Sequence, residues 1–398
     1  MNALLTTSRA RFAPVLAQAR LDAPTREQDR RLLHDEVRAL AGLGFGAARL
    51  PVAHGGEGID LVELLGRVID VSAADANLGH VWRGHIGFVE GLALDGWTGA
   101  DAERWLPRIA AGDVVGNAQS ERAETATLST RIQIVDGEPR LTGTKYYTTG
   151  SIYADWIHLA ALDGDERVAV TVRARAAGVR TVDDWDGFGQ PLTGSGTTTF
   201  DGVRVDLADI TPAGDDPASR QYVGAVFQLT LLAVIAGIAR RVHEDTVEFV
   251  RGRRRTFGFA GEHLPADDPL VQEVVGELSG AASATRRLVL SLAGDLDDAR
   301  EHLRGGGDGP LREAQFEVYR AQRIVPELAL AAATRLFEVG GASAVSRTRA
   351  LDRHWRNIRT IASHNPVAQR TRAVGDRDIS GRLPQWQAPG APTPSGAA

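Results

Sequence analysis

The chain has 398 residues, 43% hydrophobic and 24% charged, and its 45 basic residues against 51 acidic ones give a net charge of −6. That length exceeds one compact domain and predicts two or three folding units, while basic residues scattered along the chain argue against a nucleic-acid surface. Cysteine is absent, which excludes disulfides, thiolate metal sites and cysteine nucleophiles, and Lys145 as the only lysine leaves little scope for Schiff-base chemistry.

In chain order, residues 26–43 carry Leu32, Leu33, Val37, Leu40 and Leu43 at helical spacing, and Gly42, Gly44 and Gly46 close the pattern. Residues 50–58, with Pro51 and clustered glycines, break any helix, and helical patterns resume at 61–71, 77–94 and 100–111. Residues 1–113 therefore read as an all-α domain. The pattern then changes. Residues 131–135 alternate, Asp136-Gly137 signals a hairpin, and 140–147, 156–162, 167–172, 196–200 and 203–205 continue as strands, predicting an antiparallel β domain over 114–216. Residues 221–250, 269–296 and 311–339 return to helix, with an apolar run at 229–238 expected to be buried on most sides, so 217–384 reads as a bundle of four or five long helices. The Pro- and Gly-rich stretch 385–398 is expected to be disordered. The fold class is thus α+β, with helical, β and helical domains in succession.

Residues 1–11 lack the basic flank and apolar run of a signal peptide, and no apolar stretch reads as long enough to span a membrane. The expectation is a cytoplasmic chain without a membrane partner. Gly187-Phe188-Gly189 and Gly42-Leu43-Gly44 lack the spacing and acidic residue of a dinucleotide fingerprint, no phosphate loop exists, and His243-Glu244 has no second histidine one turn on, so no metal site is expected.

Five segments together resemble the acyl-CoA dehydrogenase superfamily: residues 50–58 with Asp60-Leu61, Ala118-Gln119-Ser120-Glu121, Gly143 to Gly150, Arg254-Arg255-Thr256-Phe257-Gly258, and 352–359. The resemblance runs from about residue 26 to 384. It implies a helical, β and helical-bundle architecture around a flavin, with Thr149 beside the ring, Arg254, Arg255 and Phe257 reaching a neighbouring subunit's cofactor, and hence a homo-oligomer, most simply a tetramer.

One departure redirects the function. The dehydrogenases need a carboxylate to remove the proton α to the thioester carbonyl, yet residues 353–375 and 217–243 contain no Asp or Glu. What stands there is 356–366, ending His364-Asn365-Pro366, with His85 on an N-domain helix. Together with Asn117-Ala118, Asp183-Asp184-Trp185 and Ser195-Gly196, this resembles the flavin-dependent monooxygenase branch of the superfamily, which usually carries another histidine where this chain has Ile361. The resemblance implies a two-component monooxygenase: reduced FMN, or alternatively FAD, arrives from a separate NAD(P)H flavin reductase and reacts with O2 to a C4a-hydroperoxide that oxygenates a small sulfur or nitrogen compound. It assigns catalysis to His364, His85 and Thr149, with the imidazoles titrating near neutrality as acids. Cofactor binding falls to Asn117, Ser120, Tyr147, Thr149, Ser195, Arg254, Arg255 and Phe257. The substrate pocket is expected at Trp185, His85 and Ile361.

Plainer readings stand beside these. His364 before Asn-Pro also fits a helix cap, His85 a satisfied core histidine, Trp185 core, Thr149 an ordinary strand residue, and residues 251–255 a solvated helix face. The alternative function is an acyl-CoA dehydrogenase with a relocated base; a third is a scaffold that has lost the chemistry.

Overall fold

The computed structural model describes residues 9–122, 128–212, 216–254 and 264–381. Arg255, Phe257 and the expected tail lie outside these described residues. The N-terminal helices are α1 (Ala13–Gln28), α2 (His34–Gly42), α3 (Leu61–Ala74), α4 (Ala76–Val81), α5 (Arg83–Leu94) and α6 (Gly99–Ala110). Two predicted helices each resolve into a pair. The 26–43 pattern breaks where Arg30 adopts φ +50°, and α1, whose apolar residues follow no face, gives no periodic signal. The 77–94 pattern breaks at Trp82. Caps explain the starts: the Asp60 carboxylate accepts from Glu63 N at 2.7 Å, and Asp75 accepts from Asn77 N at 2.9 Å while holding Arg26 at 2.8 Å.

Strands β1 (Val115–Ala118), β2 (Arg131–Val135), β3 (Glu138–Lys145), β4 (Trp156–Asp163), β5 (Glu166–Arg173), β6 (Val179–Thr181), β7 (Thr198–Arg204) and β8 (Ile210–Pro212) form one sheet in the order β6-β7-β3-β2-β4-β5-β8, with β1 on β4. Most pairings are antiparallel, including the β2–β3 hairpin at Asp136-Gly137. Two are not: β1 and β2 both run parallel to β4. The sheet is therefore mixed, because β4 arrives after an intervening loop rather than a tight turn. Ile132, Leu141, Leu159, Val170, Phe200 and Val203 form its own core.

Helices α7 (Pro217–Gly252), α8 (Pro269–Arg304), α9 (Gly309–Arg335), α10 (Asp352–Ala362) and α11 (Val367–Ser380) complete the fold. Pro217 and Pro269 occupy first helical positions behind the Asp216 and Asp268 caps. Helix α7 is long and apolar enough, by length and composition, to cross a membrane, contrary to the expectation of no such stretch. Its most apolar window is 78% buried inside the protein, so it is the shared core helix of the N- and C-terminal helical layers.

Candidate active site

The site forms where three parts of the chain meet: the α4–α5 junction, the β1 edge with the turn at 148–150, and the face of α7 near the loop after α10. Close backbone approach holds the first two together. A Cβ on Gly84 would lie 2.6 Å from the Asn117 Cβ, and one on Gly150, at φ +83°, would lie 2.5 Å from the Val81 carbonyl oxygen. Tyr147 and Gln190 also take left-handed backbone, at φ +63° and +54°, a strain that clusters at functional sites.

A polar relay crosses this junction. The Thr149 hydroxyl lies 2.7 Å from the Ser195 hydroxyl, which lies 2.7 Å from that of Thr193, and Thr193 donates to the Gln190 carbonyl at 3.0 Å. The Gln190 Oε1 meets His80 Nδ1 at 2.9 Å. Gln190 N donates to Asn357 Oδ1 at 2.6 Å, and Asn357 and Asn77 both donate to the buried Glu27, at 2.9 and 3.1 Å, so α1, α4 and α10 lock the loop that aims His80. Burial raises the Glu27 pKa against the pull of Asn357 and Arg356.

Several polar atoms here lack partners among the described residues. His80 Nε2 and Gln190 Nε2 are buried and unbonded, and the Asn117 side-chain amide makes no hydrogen bond to any described residue. Arg83 is 8% exposed, donates from Nε to the Phe227 carbonyl at 3.1 Å, and stacks 4.6 Å over the Phe227 ring. The free His80, Gln190 and Asn117 groups beside the Thr149–Ser195 shelf suit the polar edge of a flavin, whose ring presents carbonyl and nitrogen positions in alternation.

His364 completes the cluster with Ile361, Asn365 and Gln228 along a cleft between α7, α9 and the loop after α10. Protein packed on most of its sides lowers its pKa well below the usual value, and the Arg83 charge and His80 push the same way. By area, however, His364 is exposed, so it stands at the mouth of the cleft and water there tempers the shift. His80 is driven to about 4, first by burial and then by Arg83. Both imidazoles are neutral at pH 7, which replaces the expectation of a histidine titrating near neutrality.

His85 is corrected more fully. Its Nε2 bonds the Gly46 carbonyl at 3.0 Å and its Nδ1 accepts from Val115 N at 3.1 Å. With both nitrogens on backbone and burial lowering its pKa to about 4, it ties α5 to β1 and keeps no ring nitrogen free for substrate or oxygen. Of the other expected residues, Trp185 and the half-exposed Tyr147 pack edge to face at 6.1 Å on the rim, and Ser120 is exposed, its carbonyl accepting from Tyr146 N at 3.0 Å. Arg254 is exposed just past the end of α7. It lies 25 helical residues beyond the Phe227 contact, roughly 38 Å at 1.5 Å per residue, so it does not reach this chain's own site. His80, Arg83, Gln190 and Phe227 were not among the expected site residues. Arg83 had a signal: an arginine in an apolar helix with no acid three or four residues away.

Comparison with known proteins bears on this geometry. The model of the acyl-CoA dehydrogenase N-terminal domain matches residues 6–113 and that of the C-terminal domain matches 229–369, together more than half of the chain. The chain belongs to the acyl-CoA dehydrogenase family. Within it, the chain is 27% identical to a dibenzothiophene monooxygenase of Rhodococcus erythropolis, over 88% of this chain and 87% of that one. It is 26% identical to the probable FMNH2-dependent monooxygenase SfnC of Pseudomonas putida, over 88% and 89%. Its fold matches FMN- and indole-bound TdsC from Paenibacillus sp. A11-2 with a TM-score of 0.86 at 24% identity, covering 95% and 98%. It also matches the methanesulfinate monooxygenase MsuC from Pseudomonas fluorescens, with a TM-score of 0.85 at 25% identity, covering 96% and 98%.

Proposed function

We propose that this chain is the oxygenase component of a two-component monooxygenase that takes reduced FMN from a separate NAD(P)H-dependent flavin reductase and oxygenates a small organic substrate with O2. The observation that carries this reading is the absence of any carboxylate acting on the site. No Asp or Glu stands in 217–243 or 353–375, the segments that bring Phe227, Gln228, Ile361 and His364 to the site, and none lines the cleft beside His364. A dehydrogenase needs such a carboxylate within reach of the substrate α-carbon. The relatives named as flavin-dependent monooxygenases support the same reading, FMN over FAD included.

When bound, reduced FMN supplies two electrons to O2, one oxygen atom going to the substrate and the other leaving as water. In this reading Asn117 and the Thr149–Ser195 pair hold the ring edge, with Ser120 and Tyr147 along the same border. The neutral His364 directs a hydrogen bond into the cleft and positions oxygen, while Ile361 and Trp185 limit water. His80 stands behind it with a free Nε2. In this reading Arg254, Arg255 and Phe257 serve a neighbour's cofactor in a homotetramer in the cytoplasm. Light scattering of the purified protein tests the assembly.

The function is tested by oxygen uptake with FMNH2 and a panel of sulfur and nitrogen compounds. The expected result is product formation coupled to oxygen consumption. Anaerobic bleaching of bound flavin by an acyl-CoA, without any reductase, would overturn the proposal and restore the dehydrogenase.

A further inference from the structure

Six arginines are buried among the described residues, and five of them are neutralised. Arg26 meets Asp75 at 2.8 Å, Arg49 meets Glu90 at 2.5 Å, Arg67 meets Glu57 at 2.7 Å, Arg353 meets Asp245 at 2.8 Å, and Arg241 pairs with the same Asp245. Arg83 is the exception. Its single hydrogen bond uses Nε, and neither terminal nitrogen has a protein partner among the described residues. A buried cation without a counter-charge is costly to keep, and a guanidinium resists losing its proton; burial brings its pKa down only to about 10, so it is charged at neutral pH.

The side chain is also held in place. The Phe227 ring lies under its guanidinium and the Phe227 carbonyl fixes Nε, which leaves the Nη1/Nη2 edge as a pre-oriented fork. Phe227 adjoins Gln228, which lines the cleft together with His364, and the Arg83 charge acts on both His364 and His80, so the guanidinium lies close to the cleft and to both imidazoles. A two-oxygen anion matches such a fork bidentately.

We propose that Arg83 anchors an acidic group of the substrate, so that this enzyme takes small organic acids, sulfinates, sulfonates or carboxylates, in preference to neutral heterocycles. The proposal rests on the monooxygenase reading for the reaction but not for the binding. The anion supplies the missing counter-charge, and the rest of the substrate extends toward Ile361 and His364.

Calorimetric titration of the FMN-loaded protein with benzenesulfinate and benzoate, using methyl phenyl sulfone as the uncharged control, tests it. Wild type is expected to bind both acids more tightly than the sulfone. Arg83→Met is expected to lose about 30-fold or more in acid affinity while its FMN affinity and sulfone affinity stay unchanged. Arg83→Lys, which keeps the charge and loses the fork, falls between. If Arg83→Met does not fold, the acid-over-sulfone preference of wild type and the Arg83→Lys titration decide. Failure of wild type to bind either acid, or an Arg83→Met variant that loses FMN and keeps the acids, overturns the proposal, the latter by assigning Arg83 to the flavin. The same preparations are assayed with FMNH2 and O2. Acid binding without any oxygen transfer keeps the anchor and rejects the monooxygenase; oxygen transfer to methyl phenyl sulfoxide, whose sulfur can still be oxidised to the sulfone, without acid binding does the reverse.

Discussion

Helix α5 carries two buried charges two turns apart, and they are treated in opposite ways. Glu90 is fully enclosed, receives Arg49 at 2.5 and 3.1 Å and the Tyr222 hydroxyl at 2.7 Å, and Arg49 in turn reaches Asp297 at 3.0 Å. Burial would raise the Glu90 pKa, but the Arg49 charge outweighs it and holds the carboxyl below its ordinary value. At the other end of the same helix Arg83 has no acidic partner among the described residues. The first arrangement is complete without a ligand and joins α5, α7 and α8. The second is incomplete until something enters, and that asymmetry marks the functional end of the helix.

The sharpest way to break the comparison is to remove one charge at each end. Arg49→Met strands Glu90 and is expected to cost about 3–5 kcal/mol, whereas Arg83→Met removes an uncompensated charge and is expected to cost less than about 1 kcal/mol, or to stabilise the ligand-free protein. Urea unfolding of both variants measures this. Equal losses would show that Arg83 is structural.

Acidification tests how far burial governs the polar interior. His80, His85 and His354 each have a pKa of about 4, burial being the first cause in each case. The unfolded chain takes up protons near 6.5 that the folded chain refuses, so this stability is complete above pH 6.5 and is lost as pH falls toward 4. Each histidine contributes up to about 1.4 kcal/mol per pH unit across that window. The urea midpoint should drop steeply between pH 6.5 and 4, and His85→Gln should flatten the slope. A level profile would contradict the buried, neutral state of these rings.

Smaller effects concern the site alone. His364→Ala is expected to lower product formation by about 100-fold while oxygen uptake persists, read as product formed per O2 consumed; unchanged coupling would remove His364 from the mechanism. Gly84→Ala forces a methyl onto Asn117 and is expected to cost about 1–3 kcal/mol of packing strain, with weaker FMN binding by fluorescence titration. Normal FMN affinity in that variant would separate Asn117 from the cofactor.

Much of the architecture was legible because it rests on local rules. The periodicity of residues 221–250 and the Asp136-Gly137 turn act within a few residues, and the structure has a helix and a hairpin there. The parallel pairings of β4 were not legible, since strand partners are chosen by packing across long separations. Helix α1 was missed because its burial comes from tertiary contact rather than an amphipathic face.

The candidate site divides along the same line. Sequence alone determined that the carboxylate base is missing from 217–243 and 353–375, that Thr149, Ser195 and His364 are of the right kinds, and that Arg83 stands in an apolar helix without a local acid. Only the tertiary structure decided that His85 spends both nitrogens on backbone while His80 keeps one free, and that Arg83 meets Phe227 from a helix 144 residues away in sequence rather than a carboxylate. The reason is physical: residue type sets which bonds and charges a side chain offers, but which of them are satisfied depends on neighbours brought from other segments. A group left unsatisfied in a buried place becomes visible only when all those neighbours are in position.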